Sequence, residues 1–259
     1  MTIDLLIAQF SDTHVTTNGR LLHDRYDSAA TLTKCFEHAA ALPRRPDLVL
    51  MTGDLADQGA DPEYRRLRDI VDAAGFPVIT IPGNHDRRAE MSRFFPPVEH
   101  AVNARMDTVR DGLPLTLIGL DTVREGADEG YFEDDQALWL DGVLAKRRDK
   151  PVLIFMHHPP VATGFRLMDT IRLEPVSAAR LAAVVSRHAN IRRVVCGHVH
   201  RSLQVVWEGV MLSVCPSTAF QIEPDFEAED YRPSIDEPPA YQLHFWADGE
   251  LTTHTVTVT

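Results

Sequence analysis

Short apolar runs alternate with amphipathic stretches along most of the chain. Leu5–Phe10, Leu48–Met51, Val78–Ile81, Leu115–Leu120, Val152–Met156 and Val194–Cys196 have the length and composition of buried strands. Between them, residues 27–42, 61–74, 134–148 and 176–189 carry helical periodicity. In the third of these, Leu138, Leu140, Val143 and Leu144 leave the charged residues on the other face. The alternation predicts an α/β sheet with short crossovers. Towards the C-terminus, Leu203–Trp207, Val210–Val214, Tyr241–Trp246 and Thr253–Val258 read as strands with Glu-Gly and Asp-Gly turns, an antiparallel meander. Residues 216–239, rich in Pro, Asp and Glu, interrupt it as an irregular flap or interaction arm. No repeat divides the chain, and a single domain over residues 1–259 is the simplest organisation.

The polar residues that follow these runs are of unusual type. LLIAQF is followed by Ser11-Asp12-Thr13-His14, LVLM by Thr52-Gly53-Asp54, and VITIP by Gly83-Asn84-His85-Asp86. VLIFM leads into His157-His158-Pro159, and RVVC into Gly197-His198-Val199-His200. Strand carboxyl ends are where open α/β sheets place their sites. A lone Asp there is ordinarily a turn former or helix cap, and a lone His a satisfied half-buried residue. Unrelated turn residues would include Ser, Lys and Glu, whereas these are almost all metal-ligating types. Residues at i and i+2 of extended chain face the same way, so Asp12 with His14, and His198 with His200, can each aim at one point. The set offers carboxylate, imidazole and amide donors with no thiolate, which suits Mn, Fe, Co or Zn. There are too many ligands for one ion, and two is the economical count.

Bulk properties narrow the classes. The chain has 259 residues, 44% hydrophobic and 25% charged, enough for a sizeable core without staples. Its three cysteines are scattered, which suits a reducing compartment and argues against a thiolate zinc site. The N-terminal MTIDLLIAQF lacks the features of a signal peptide, and no apolar run approaches the roughly 20 residues that span a bilayer. A cytoplasmic protein is expected, with no membrane partner. A net charge of −12 disfavours a nucleic-acid polymer as partner. A small anionic substrate then requires local positive charge, which again points to metal ions.

The motif series Asp12-Thr13-His14, Gly53-Asp54, Gly83-Asn84-His85-Asp86, His157 and Gly197-His198-Val199-His200 resembles, in order, that of the calcineurin-like metallophosphoesterases. The flanking text GRLLHDRYDSAATL, FMHHPPVATGFRLMD and CPSTAFQ is similar to bacterial class III 3′,5′-cyclic-nucleotide phosphodiesterases and related glycerophosphodiesterases. The resemblance implies an α/β fold: a four-layer α/β/β/α sandwich of two mixed β-sheets flanked by helices, with a dinuclear metal site at strand C-terminal ends. It implies two divalent ions, one held by Asp12, His14, Asp54 and His200, the other by Asp54, Asn84, His157 and His198. His158 is expected beside the site and not on a metal. The catalytic pair it implies is His85 with Asp57, Asp86 being the alternative partner or a helix cap. Relatives of this kind are often dimers or larger, which makes a homo-oligomer the expectation, with the 216–239 segment as the contact.

The chemistry so implied is hydrolysis of a small phosphodiester, foremost a cyclic nucleotide such as cAMP, by in-line attack of a metal-bridging hydroxide. His85 would orient the phosphate or protonate the leaving oxygen. The alternatives are a glycerophosphodiester substrate, or broad phosphomonoesterase activity, on the same centre. For substrate contacts the sequence offers Arg166, Phe220 and His23, with Phe165, Met168, Tyr26 and Gln221 nearby. Stacking of a nucleobase on Phe220 would favour the cyclic nucleotide.

Overall fold

The computed structural model describes residues 4–96, 105–230, 232–234 and 236–259. The first three residues of the N-terminal run, and Tyr231 and Ile235 of the excursion, lie outside them. In chain order the elements begin with β1 (Leu5–Phe10), α1 (Ser28–Ala41), β2 (Leu48–Thr52), α2 (Asp61–Ala74), β3 (Val78–Ile81) and α3 (Arg88–Phe94). They continue with β4 (Thr108–Arg110), β5 (Thr116–Leu120), α4 (Asp134–Ala145), β6 (Val152–Met156), α5 (Arg166–Ile171) and α6 (Pro175–Val185). The last five are β7 (Ile191–Cys196), β8 (Leu203–Trp207), β9 (Val210–Val214), β10 (Ala240–Ala247) and β11 (Glu250–Thr257). The short elements β4, α3 and α5 were invisible to periodicity, because so few residues barely complete one repeat. No helix among the described residues is long and apolar enough to cross a membrane.

Two mixed sheets result, in the orders β11-β10-β1-β2-β3 and β4-β5-β6-β7-β9-β8. The fold is the expected sandwich. Leu5, Ile7, Leu50 and Ile81 of the first sheet meet Leu117, Leu153, Phe155 and Val195 of the second. The opposite face of the first sheet, with Ala8, Phe10, Val49 and Met51, packs on α1 and α2 through Leu32, Phe36, Tyr64 and Leu67. The outer face of the second sheet, with Ile118, Ile154 and Val194, packs on Leu140, Leu144, Leu181 and Val184 of α4 and α6. Strands buried on both faces explain why the central runs are continuously apolar and not alternating. Local signals set the helix ends. Asp27 Oδ1 accepts from Ala30 N (3.1 Å) at the start of α1, and Gly75, in the left-handed region at φ 64°, closes α2.

The C-terminal strands depart from the expected single meander. β8 and β9 form one hairpin on the second sheet, with β9 parallel to β7, whereas β10 and β11 form another on the first sheet, with β10 antiparallel to β1. The excursion is what carries the chain from one sheet to the other. Both hairpin turns were legible: Glu208-Gly209 and Asp248-Gly249 all have positive φ, as a two-residue turn matching strand twist requires.

Some polar groups buried inside these layers are paired across them, and others are left short of a partner. Gln9 Nε2 donates to Thr52 Oγ1 (2.9 Å) and Cys196 O (3.0 Å), tying the sheets together. Asp107 Oδ1 accepts from Asp121 N (2.8 Å) and Gln136 Nε2 (2.6 Å), while its Oδ2 has no partner among the described residues. Burial first, and then the Asp121 carboxylate, push Asp107 up to about 7. An unfolded chain loses this proton near pH 4. Asp107 therefore contributes stability that is fully present at low pH and drains away as pH rises towards 7. Asp107→Asn keeps the Oδ1 acceptor and cannot ionise. We expect its urea-unfolding stability to match the parent near pH 4 and to exceed it by roughly 1–3 kcal/mol above pH 7. Equal stabilities across that range would show that Asp107 is not held protonated.

Candidate metal centre

β1, β2, β3, β6 and β7 deliver their carboxyl ends to one edge of the sandwich, three from one sheet and two from the other. The loops beyond them are interlocked by backbone. Asp12 N and His14 N donate to Gly53 O (3.0 Å) and Asp54 O (2.9 Å), and Gly197 N donates to His157 O (3.0 Å). Asp12, His14, Asp54, His198 and His200 all sit at positive φ, between 39° and 75°. Non-glycine residues take this conformation at a cost, and its concentration at five candidate ligands marks strain held by the surrounding structure. Gly197 is required for a different reason: an added Cβ would overlap Ser11 Oγ and press on Asp12 Oδ2.

The side chains converge in two groups that share Asp54. On one side, His14 Nε2 lies 3.1 Å from His200 Nε2 and 3.7 Å from Asp54 Oδ2, and His200 Nε2 lies 3.5 Å from Asp12 Oδ1. On the other, His157 Nε2 lies 3.4 Å from Asp54 Oδ2, 3.2 Å from Asn84 Oδ1 and 3.2 Å from His198 Nδ1. Outer hydrogen bonds aim the rings: His157 Nδ1 donates to Thr52 O (2.8 Å) and His200 Nδ1 to Phe220 O (3.0 Å), which turns each Nε2 inward, a lone pair for a cation wherever it carries no proton. His198 Nε2 is buried with no hydrogen-bond partner among the described residues. Imidazole nitrogens and carboxylates crowded this closely fit divalent cations, which satisfy several lone pairs at once. His158 also lies near, but Thr122 Oγ1 (2.7 Å) and Asp128 O (3.2 Å) occupy its two ring nitrogens.

Protonation follows from this crowding. Burial foremost, aided by neighbouring histidines, holds His14 and His198 well below the usual imidazole range, the neutral form a metal requires. Burial also pulls on His157, but the Asp54 carboxylate outweighs it and lifts His157 to about 9. Burial opposes the charge on Asp54, yet His157 and His85 outweigh it and keep Asp54 well below the usual carboxylate range. A cation entering this site competes with a proton on His157.

The expected acid–base pair is arranged differently. His85 Nδ1 meets the main-chain oxygen of Asp57 (2.8 Å), not its carboxylate. Arg20 Nη2 (2.6 Å) and Gln58 Nε2 (3.0 Å) claim that carboxylate. Asp86 does not orient His85 either. It is buried and accepts from Leu55 N (3.0 Å), Ala56 N (3.1 Å), Gly83 N (2.9 Å) and Tyr64 Oη (2.8 Å), stapling the loops after β2 and β3. His85 is the exposed member of the group, where an incoming ester would meet it.

A cleft of about 350 Å³ opens over the centre. Its apolar wall is Leu22, Leu167, Met168, Ile171, Phe220 and Ile222, and none of the described residues lining it is Lys or Arg. Phe220 stacks on Tyr26 (5.5 Å between centroids) and meets His23 edge-on at 5.1 Å, so both residues proposed from the first loop help build this wall. Arg166 does not reach the cleft. It is 59% exposed and faces Glu227 (3.9 Å) and Glu229 (3.8 Å), beside the stacked pair Phe165–Phe226. Gln221 turns inward to Ser217 O (2.7 Å). The start of the excursion, from which Phe220 and Gln221 were expected to approach the site, is a sixth loop of it: Ser217 Oγ donates to Asp12 O (2.8 Å) and Thr218 N to Ser11 O (3.2 Å).

Fold and site together define a metal-dependent hydrolase of phosphate esters. The family model of the calcineurin-like phosphoesterases matches residues 5–202, and the chain belongs to that family. It is 34% identical over 253 residues to a probable glycerophosphodiester phosphodiesterase of Arcobacter nitrofigilis, covering 97% of this chain and 92% of the relative. It is 35% identical over 236 residues to a probable cyclic nucleotide phosphodiesterase of Rhodopseudomonas palustris, covering 89% and 84%. Among solved structures, a dimetal phosphatase from Danio rerio shares the fold with a TM-score of 0.65 at 15% identity, covering 98% of this chain and 99% of that one.

The Asp86 staple carries a test. Asp86→Ala strips one acceptor from four buried donors, and each orphaned donor costs about 1–3 kcal/mol. With chelator present throughout, so that metal loss is not scored, we expect a stability loss of at least about 3 kcal/mol by denaturant unfolding. A loss within about 0.5 kcal/mol would mean that water replaces the carboxylate freely.

Proposed function

We propose that the chain is a dinuclear-metal phosphodiesterase acting on small diesters, with 3′,5′-cyclic nucleotides such as cAMP as the foremost substrates. The observation that carries this reading is Asp54, shared between two clusters of candidate ligands. Asp12, His14, Asp54 and His200 would hold one divalent ion, and Asp54, Asn84, His157 and His198 the other, drawn from Mn, Fe, Zn or Co. Bound there, two such ions neutralise phosphate charge and lower the pKa of water, so that a nucleophile exists near neutral pH. His85, fixed through its Nδ1 by the Asp57 carbonyl, presents its other nitrogen to the ester or its leaving oxygen. Asp57 serves this by its backbone, and its carboxylate fixes Arg20 over the loop.

The aromatic wall supports the choice of substrate. Phe220, backed by Tyr26, lines the cleft beside the ligands but is only 4% exposed, so a base stacks on it once the wall of His23 and its neighbours opens. A second depression of about 600 Å³, lined by Gln58, Arg87, Glu90 and Glu125, meets the first at Asn84 and His85. It favours the alternative reading, a linear glycerophosphodiester with one arm on each side of His85. Three free, buried cysteines fit a reducing, cytoplasmic setting.

Hydrolysis of cyclic AMP, glycerophosphocholine and a simple phosphomonoester by Mn-loaded protein separates these readings. Cyclic AMP is expected to be preferred, with Asn84→Ala abolishing turnover of all three. Phe220→Ala keeps the backbone carbonyl on His200 and removes the ring. Its KM for cyclic AMP is expected to rise about 5–100-fold, the worth of one stacked base, with the monoester unaffected. Faster glycerophosphocholine hydrolysis would install the alternative, and an equal effect of Phe220→Ala on all substrates would remove the stacking role. His85→Gln is expected to retain metal and lose about 10²–10⁴-fold in kcat. A near-normal kcat would place proton transfer elsewhere.

A further inference from the structure

Leu5 and Ile7 of β1 turn inward to the second sheet, and Gln9, the next residue in that row, is polar and fully buried. A buried amide costs free energy unless its donors and acceptor are bonded. Here they are, and the bonds lead to the candidate ligands.

Gln9 Nε2 donates to Thr52 Oγ1 (2.9 Å) and to Cys196 O (3.0 Å). Each partner is the last residue of its strand, Thr52 of β2 in the first sheet and Cys196 of β7 in the second. The carbonyl of Thr52 accepts from His157 Nδ1 (2.8 Å), and Cys196 directly precedes Gly197 and His198. One amide nitrogen therefore ties the two sheets at the residues that set His157 and His198. Both bonds bear on the cluster those histidines form with Asn84.

The direction of every bond in this chain is fixed. A carbonyl can only accept, so Gln9 Nε2 must face Cys196 and Oε1 must face away. Oε1 meets His244 Nε2 (3.0 Å), and His244 Nδ1 meets Thr253 Oγ1 (2.8 Å). His244 lies on β10, and Thr253 stands opposite it on the edge strand β11. Burial first, and then the Arg193 guanidinium, push His244 down to about 3, so its ring is neutral and carries one proton. Because Oε1 only accepts, that proton sits on Nε2, and Nδ1 accepts from the Thr253 hydroxyl. Removing the hydroxyl frees the ring to hold its proton on Nδ1. That tautomer sets two lone pairs against each other and releases the amide of Gln9.

We propose that Thr253, His244 and Gln9 form a positioning relay, which holds the two sheets in the register that spaces His157 and His198 for the second metal ion. This inference rests on the dinuclear reading given above. Apolar packing resists separation of the sheets but has no direction, whereas oriented hydrogen bonds oppose sliding as well. None of the three residues lines the cleft, so they act through the ligands and not on substrate.

Stepwise Mn binding to the full chain, followed by calorimetry, tests the relay. Gln9→Met removes the amide at similar volume and is expected to weaken one of two Mn ions about 10–100-fold, leaving the other unchanged. Thr253→Val, a change of shape-matched residues on the edge strand, keeps the test independent of how well Gln9→Met folds. It is expected to weaken the same ion about 2–10-fold, the worth of one neutral hydrogen bond. Thr253→Ser, which keeps the hydroxyl, is expected to bind both ions as the parent does. Combining Gln9→Met with Thr253→Val is expected to add nothing to Gln9→Met alone, because the relay is already cut. Equal weakening of both ions, additive effects, or Thr253→Ser no better than Thr253→Val would each overturn the relay. Parent protein that binds fewer than two Mn would overturn the dinuclear reading and the relay together. Two Mn bound as tightly by every variant as by the parent would overturn the relay alone.

Discussion

Everything at the centre depends on one buried carboxylate. Asp54 has almost no contact with solvent, yet His14 faces it from the first sheet's loops and His157 from the second's. Its other oxygen accepts from His85 N (2.9 Å), which fixes the loop carrying Asn84. A charge so placed is costly unless cations surround it. In the protein alone His157 supplies that partner, lifted to about 9 by Asp54 itself. Divalent ions would take over the same role with more charge and in two directions.

The surrounding loops make that arrangement rigid. Five candidate ligands sit in left-handed backbone, held by main-chain bonds between neighbouring loops and by the four-donor staple of Asp86. His157 and His200 are aimed by carbonyls of Thr52 and Phe220. Because β1, β2 and β3 belong to one sheet and β6 and β7 to the other, the site straddles the sandwich, and sheet-to-sheet packing fixes the distance between its halves. Ligand geometry and core packing are therefore one problem.

Electrostatics gives the chain its dependence on metal. The protein is strongly acidic, and its cleft is lined by Asp54, Asp57 and Asp128 with no Lys or Arg among the described lining residues. An anionic ester gains nothing there until cations neutralise the carboxylates. Binding of metal and of substrate are coupled through charge alone, before any specific contact is considered.

The chain's order of apolar runs, and the metal-ligating residues after them, were legible because a strand buried on both faces must be continuously apolar and its polar terminus stands out. Asp12 with His14 and His198 with His200 do reach the centre, but from left-handed backbone and not by strand alternation, and His198 and His200 turn to different clusters. Other features needed the folded molecule. The C-terminal strands divide between two sheets because pairing partners lie up to 241 residues apart in sequence, as with Leu5 and Trp246. Arg166 turns to Glu227 and Glu229, Asp57 gives His85 its carbonyl while Arg20 takes its carboxylate, and Phe220 lends an oxygen to His200. Residue type and spacing thus determined which chemistry the chain can assemble. Only tertiary structure decided which atom of each residue performs it, because hydrogen-bond partners are chosen by distance in space and not along the chain.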